Sequence, residues 1–260
     1  MKALPPSLAR RCRFRAELHV PLVAGRARIG WLRPELAARL AGWPKVFQTS
    51  AEAVRLLDHG RLDPVVQELA REGFIPGWRN ERYRIAGLFD IERAAARPFG
   101  LATQAVHVNA TVGQTMWLAR RSSSKPTDPG MLDNLVGGGI GATLSVYETL
   151  VKEAWEEAGI PAPLARRATA GGTVELLREV AEGVQSELIH VYDLELPADF
   201  APANQDGEVA EFRLVPLAEA RRLIDETDEL TVDAALVALD YLNRRSARPG
   251  SASAAAGRAT

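Results

Sequence analysis

The chain has 260 residues, 32 Lys and Arg against 33 Asp and Glu, a formal net charge of −1 and one cysteine. The near balance of charge argues against bulk electrostatic attraction to nucleic acid or to a membrane. The lone Cys12 excludes an intramolecular disulfide and a cysteine-based zinc cluster. With 47% hydrophobic and 25% charged residues, the composition is ordinary for a globular protein of one large or two small domains. No run approaches the ~20 apolar residues of a membrane helix. The opening MKALPPSLARRCRFRAEL has no apolar run of secretory-leader length, so a soluble, cytoplasmic protein is expected.

Residues 1–80 are expected to form a small α+β domain. Phe14–Val23 and Arg26–Arg33 are apolar-rich runs around Ala24-Gly25, a hairpin signal. Pro34 opens a helix to Gly42, with Leu36, Leu40 and Ala41 at helical spacing. Pro64–Arg71 reads as a second helix, stopped by Gly73. Pro76, Gly77 and Asn80 mark a connection. Residues 81–245 then read as strands around helices. Strands are predicted at Tyr83–Ala86, Gln104–Val112, Thr115–Arg121, Thr173–Ala181, Ser186–Glu195 and Glu208–Val215. Helices are predicted at Asp90–Arg97, Val146–Ala158 (capped by Gly159), Leu217–Ile224 and Val232–Arg245. Ser122–Gly141 reads as a long polar loop, a length that usually signals function or disorder. Residues 246–260 are Ala/Ser/Gly/Arg-rich and expected to be disordered.

Chemistry concentrates in Gly137-Gly138-Gly139-Ile140-Gly141 and the helix that follows. Glu153, Glu156 and Glu157 stand at i, i+3 and i+4, so their carboxylates share a helix face and repel. They also lie in the last turn, where the helix dipole disfavours negative charge. A divalent cation would relieve both penalties, and hard cations choose carboxylate oxygens and share them with phosphates. Glycine before the helix lets backbone approach a ligand closely. An acidic cluster on its own is ordinarily a solvated face; here it comes with the glycine run at fixed spacing.

Gly138, five residues, Leu144, seven residues, then Lys152-Glu153-Ala154-Trp155-Glu156-Glu157-Ala158-Gly159-Ile160 resembles the signature of the Nudix family. Leu144 stands where that pattern has Glu, and Lys152 where it has Arg. The resemblance implies an α+β fold, an α/β/α sandwich with a mixed sheet, preceded here by the small α+β domain. Further likenesses, at Ala119–Ser122, Asp128–Asn134, Val191–Pro197, Asp206–Val209, Gly30–Pro34 and Trp43–Phe47, point to a subgroup with an added N-terminal domain. That subgroup implies hydrolysis of thiamine diphosphate, notably oxidised or damaged forms, to the monophosphate.

The implied enzyme is a diphosphatase using Mg2+ or Mn2+ on a small-molecule diphosphate, without nucleic acid or membrane as partner. Glu153 and Glu157 are the first metal ligands, Glu156 the third candidate, and the Gly138 carbonyl a further one. Lys152 and Glu156 form an i, i+4 pair, so Glu156 is alternatively oriented by Lys152. Lysine offers a point charge in place of a planar fork. Glu208, with Glu211, is the remote candidate acid; the alternative is two surface charges. Arg120, Arg121 and Lys125, with Gly138 and Gly139, are the candidate substrate-binding groups. Arg120 and Arg121 cannot both face one pocket, because strand residues alternate. Trp155 and His107 are expected in the core. The leading domain either covers the pocket or mediates a homodimer. Two other functions stay open: a hydrolase of nucleotide sugars, dinucleotides or coenzyme A, and a non-catalytic ligand sensor.

Overall fold

A computed structural model describes residues 3–247. Helix α1 (Pro6–Arg11) leads to the hairpin of β1 (Val20–Ala24) and β2 (Ala27–Leu32), which turns at Gly25-Arg26. The strand predicted from Phe14 starts later, because Ala16–Leu18 is a helical turn and Arg15 is held by Glu179. Helix α2 (Pro34–Leu40), β3 (Phe47–Thr49), β4 (Val54–Leu56) and α3 (Leu62–Arg71) follow. The sheet runs β2-β1-β4-β3. Leu36, Leu40, Val65, Val66 and Leu69 of the two helices pack into one core that continues to Phe99 and Leu101.

β5 (Arg82–Ile85) and β6 (Phe89–Glu92) form a separate antiparallel hairpin. This overturns the helix predicted over Asp90–Arg97. Phe89 and Ile91 point inward with strand alternation, and only Arg93–Ala95 makes a helical turn.

The larger sheet holds β7 (Ala102–Val112), β8 (Thr115–Arg121), β9 (Leu132–Asn134), β10 (Val136–Gly139), β11 (Thr169–Val180), β12 (Gly183–Glu195) and β13 (Val209–Pro216). Its order is β11-β12-β7-β8-β13, with β12 parallel to β7. Strands β7 and β8 pair only at Thr111↔Met116 and Val112↔Thr115, then part. β10 takes the edge freed on β7, and β9 the edge freed on β8. The segment predicted as one long loop therefore contains two strands, recruited by edges that lie far away in sequence.

Ala105–Ala110 are all buried, as expected of a central strand covered on both faces. On one face, α4 (Val146–Ala158) packs Leu150, Ala154 and Ala158 against Val106, Val108 and Ala110. On the other, α6 (Leu217–Glu226) and α7 (Val232–Ser246) pack against Ala105, Ile189 and Val191. A short helix α5 (Ala162–Ala165) follows α4. The result is the mixed-sheet α/β/α sandwich of the α+β expectation. The predicted disordered tail lies outside the described residues except for Ser246 and Ala247, which end α7.

Helix α4 has defined ends. The Ser145 hydroxyl accepts from the Glu148 amide at 3.2 Å, and the Glu148 carboxylate accepts from the Ser145 amide at 2.9 Å, a reciprocal capping box. Gly159 closes the helix at φ 64°, a conformation glycine adopts without strain. Replacing Ser145 with Ala is expected to cost about 1 kcal/mol, a drop of roughly 2–4 °C in Tm. A thermal melt unchanged from wild type would contradict the cap.

Candidate active site

The site is built where β10 meets the C-terminal half of α4. Three successive glycines allow three side chains to close on the strand from alternating sides. A Cβ on Gly137 would meet the His107 ring at 2.7 Å, and one on Gly138 would lie 2.5 Å from the Glu153 carboxyl carbon. A Cβ on Gly139 would strike the Tyr83 hydroxyl. Gly138 thus faces α4, while Gly137 and Gly139 face the opposite side.

Glu157 is 7% exposed, and one of its oxygens accepts from the Gly137 amide at 2.8 Å. Burial pushes its carboxyl well above the ordinary range. The Gly137 amide opposes this, Glu153 and Asp133 add to it, and Lys125 works against it. Glu153 is raised in the same way by burial, against the pull of Lys152. Two α4 carboxylates therefore stand together over a glycine backbone without full compensation.

Across the gap between β10 and β9, the cationic side chains gather. The Arg121 guanidinium donates to Asp133 at 2.8 Å, and Lys125 is ion-paired with Glu208. Although burial acts against its charged form, the Lys125 bond holds Glu208 below the usual range, with Arg121 and Arg93 acting in the same sense. Arg121, Lys125, Glu208 and Gly137–Gly139 all line one cavity of about 260 Å³.

Other predicted residues stand apart from it. Glu156 accepts from Lys152 at 2.6 Å, and Lys152 also donates to Glu153 at 3.0 Å. The lysine thus ties the third glutamate down on the outer side of α4. Arg120 turns to Glu211 (3.0 Å) and to the Gly130 carbonyl, and Glu211 also binds Arg213. Trp155 is 51% exposed, against the expectation of a core position, because it lies on the face of α4 turned from the sheet. His107 is buried as expected, but it also lines the cavity. The residues that sequence reasoning missed are Tyr83, Arg93, Asp133, Glu187 and Asp233. Tyr83 and Arg93 belong to the β5–β6 segment, and no local pattern joins any of the five to the glycine run.

The carboxylate oxygens of Glu153 and Glu157, side by side over the glycine strand, are donors of the kind a hard divalent cation takes. Among the described residues, no three Asp, Glu, His or Cys side chains already form a cage. Lys152 bonds both Glu153 and Glu156, and of the two Glu156 is the more exposed.

Because the folded state raises the Glu157 pKa, it holds that proton more tightly than the unfolded chain does. Metal-free stability is then full below the ordinary carboxylate range and declines as pH rises towards the Glu157 pKa. Glu157→Gln keeps the acceptor for Gly137 and removes the charge. Denaturation in EDTA is expected to find this variant more stable than wild type, by a margin that widens from pH 4 to neutrality. A margin independent of pH would contradict the buried-charge reading.

A NUDIX domain profile matches residues 98–235, and a domain of unknown function, DUF4743, matches residues 7–103. Nudix hydrolase 24, chloroplastic, from Arabidopsis thaliana is 45% identical over 190 residues, covering 69% of this chain and 52% of the relative. Nudix hydrolase 20, chloroplastic, from the same plant is 43% identical over 190 residues, covering 69% and 51%. The chain spans about half the length of these curated relatives. Among solved structures, the MutT protein of Methanosarcina mazei is similar at a TM-score of 0.44 and 22% identity, covering 56% of this chain and 96% of that one. The chloroplastic names of both relatives overturn the cytoplasmic expectation, since charge balance does not encode a compartment. The NUDIX match covers more than half of the 260 residues, and the chain belongs to the Nudix family.

Proposed function

We propose that the chain is a divalent-metal-dependent diphosphatase acting on a small-molecule diphosphate. The observation that carries this reading is the pair Glu153 and Glu157, both closed on the Gly137–Gly138 backbone and both raised by burial. In this reading their carboxylates and the Gly138 carbonyl hold Mg2+ or Mn2+. When bound, such a cation would neutralise phosphoryl oxygens and lower the pKa of a water held beside it. Arg121 and Lys125 supply N–H donors to the remaining phosphate oxygens. A water oxygen attacks phosphorus, the bond to the bridging oxygen breaks, and the water proton passes to a carboxylate. Glu157 is one candidate for that role, through a carboxylate oxygen that the cation leaves free. Glu208 is the second candidate, available once Lys125 turns to the substrate. Lys152 and Glu156 act as positioning residues, with Lys152 fixing the Glu153 side chain.

The substrate favoured is thiamine diphosphate or an oxidised derivative, which would yield the monophosphate and orthophosphate. Support comes from the subgroup resemblance, which runs through both the leading domain and the segments around the cavity. The purified chain is expected to release thiamine monophosphate in the presence of Mg2+ and to stop when EDTA is added. Glu157→Gln is expected to lose on the order of 10²–10⁴-fold in kcat. Full activity in that variant would reject the assignment of Glu157. Faster turnover of ADP-ribose or coenzyme A than of any thiamine diphosphate would reject the substrate.

A further inference from the structure

Arg121 reaches the cavity from the end of β8, and its guanidinium is gripped from one side. Its Nε donates to the Thr127 carbonyl at 3.1 Å and its Nη1 to Asp133 Oδ2 at 2.8 Å. A guanidinium carries its N–H donors in one rigid plane. Holding two of them orients the plane, and the others have no acceptor among the described residues. Both Arg121 and Asp133 line the cavity, together with Gly137–Gly139 and Lys125.

Asp133 is 8% exposed and is itself held in place. Its Oδ1 accepts from the Asn134 amide at 2.9 Å, and the Thr231 hydroxyl lies 3.4 Å from the same oxygen. That hydroxyl also caps α7, accepting from the Ala234 amide at 3.2 Å. The backbone beside Asp133 is pinned to the same segment. The Leu132 amide donates to the Glu229 carbonyl at 2.9 Å, and the Thr231 amide to the Leu132 carbonyl at 2.8 Å. Helix α1 braces that segment in turn: Arg10 donates to Asp228 at 3.0 Å, and Arg11 to the Leu230 carbonyl at 2.5 Å. Leu8, 1% exposed, seats α1 in the core shared with α6 and α7. A series of contacts thus runs from the start of the chain to the carboxylate that grips Arg121.

Stability alone does not call for this buried pair, since apolar packing often matches or betters a buried ion pair. An acid beside a phosphate pocket also repels the ligand. Its presence there is accounted for by what it does to the arginine.

We infer that Asp133 is a positioning residue: it turns the Arg121 guanidinium so that the free N–H groups meet phosphate oxygens of the substrate. The inference rests on the diphosphatase reading, which supplies the phosphates. Strand β9 makes the aim rigid, and α1 steadies β9 through residues 228–231.

Methylenediphosphonate with Mg2+ is the probe, because its bridging carbon prevents cleavage and binding is read without turnover. In calorimetric titration of the full chain, wild type is expected to bind it. Asp133→Asn and Arg121→Met, each checked for a native melting profile, are expected to weaken binding by about tenfold. The direction of the change separates two roles. An acid that merely repels phosphate leaves tighter binding once neutralised, whereas an acid that aims Arg121 leaves weaker binding. In the double variant, Asp133→Asn is expected to add no loss to that of Arg121→Met, because it acts through that arginine. Arg121→Lys keeps the charge and gives up the planar fork, so it too is expected to bind about tenfold more weakly, and it serves where Asp133→Asn does not fold. Unchanged or tighter binding by Asp133→Asn, additive losses in the double variant, wild-type affinity in Arg121→Lys, or no binding by wild type would each overturn the inference. Diphosphate cleavage by wild type, with Asp133→Asn binding as tightly as wild type, would sink the positioning role and spare the hydrolase. Weakened, non-additive binding by a protein that cleaves no diphosphate would do the reverse.

Discussion

The approach of Glu157 and Glu153 to a strand without side chains governs everything around it. Two carboxylates are held near each other where water is scarce, and among the described residues the Gly137 amide is the one backbone donor that Glu157 receives. Any Cβ on Gly138 would push Glu153 aside. The glycine run is therefore the space that lets α4 bring its acids to the sheet edge. The capping box and the Gly159 terminus fix where along α4 those acids fall. The parting of β7 from β8 frees the edge of β7 on which the glycine strand β10 pairs.

That same strand is the seam between the two halves of the chain. Gly138 receives α4 on one face, while Gly137 and Gly139 receive His107 and Tyr83 on the other. Tyr83 is buried on both counts: its ring packs into the N-terminal core, and desolvation lifts its hydroxyl to about 12. The Tyr83 hydroxyl and the His107 ring border a cavity whose charges are carboxylates, guanidinium groups and the Lys125 ammonium. The cavity is lined by both signs of charge, Arg121 and Lys125 among the cations and Glu187 and Asp233 among the acids.

Much of this was legible because it is local. Helix α4 begins and ends as predicted, since Ser145, the apolar spacing and Gly159 are all written within fifteen residues. The spacing of Glu153 and Glu157 on one face follows from the same helix. What escaped depends on contacts between distant segments. Phe89–Glu92 carries strand alternation, but the alanines that follow suggest a helix, and only pairing with Arg82–Ile85 decides the matter. Val136–Gly139 has poor strand propensity and becomes a strand because β8 leaves an edge of β7 open. The Lys152–Glu156 pair, by contrast, is local, and its i, i+4 spacing was readable in the sequence. Tyr83 and Glu187 lie more than fifty and forty residues from the glycines they serve, so no sequence window contains the pocket.

The central claim is that Glu153 and Glu157 together form a cation site on the glycine strand. Its most direct test is Mn2+ binding at equilibrium, followed by electron paramagnetic resonance on wild type, Glu153→Gln, Glu157→Gln and Glu156→Gln. The account predicts saturable binding by wild type, its loss in both of the first two variants, and its retention in Glu156→Gln. Equal binding by wild type and Glu157→Gln, or loss confined to Glu156→Gln, would contradict it.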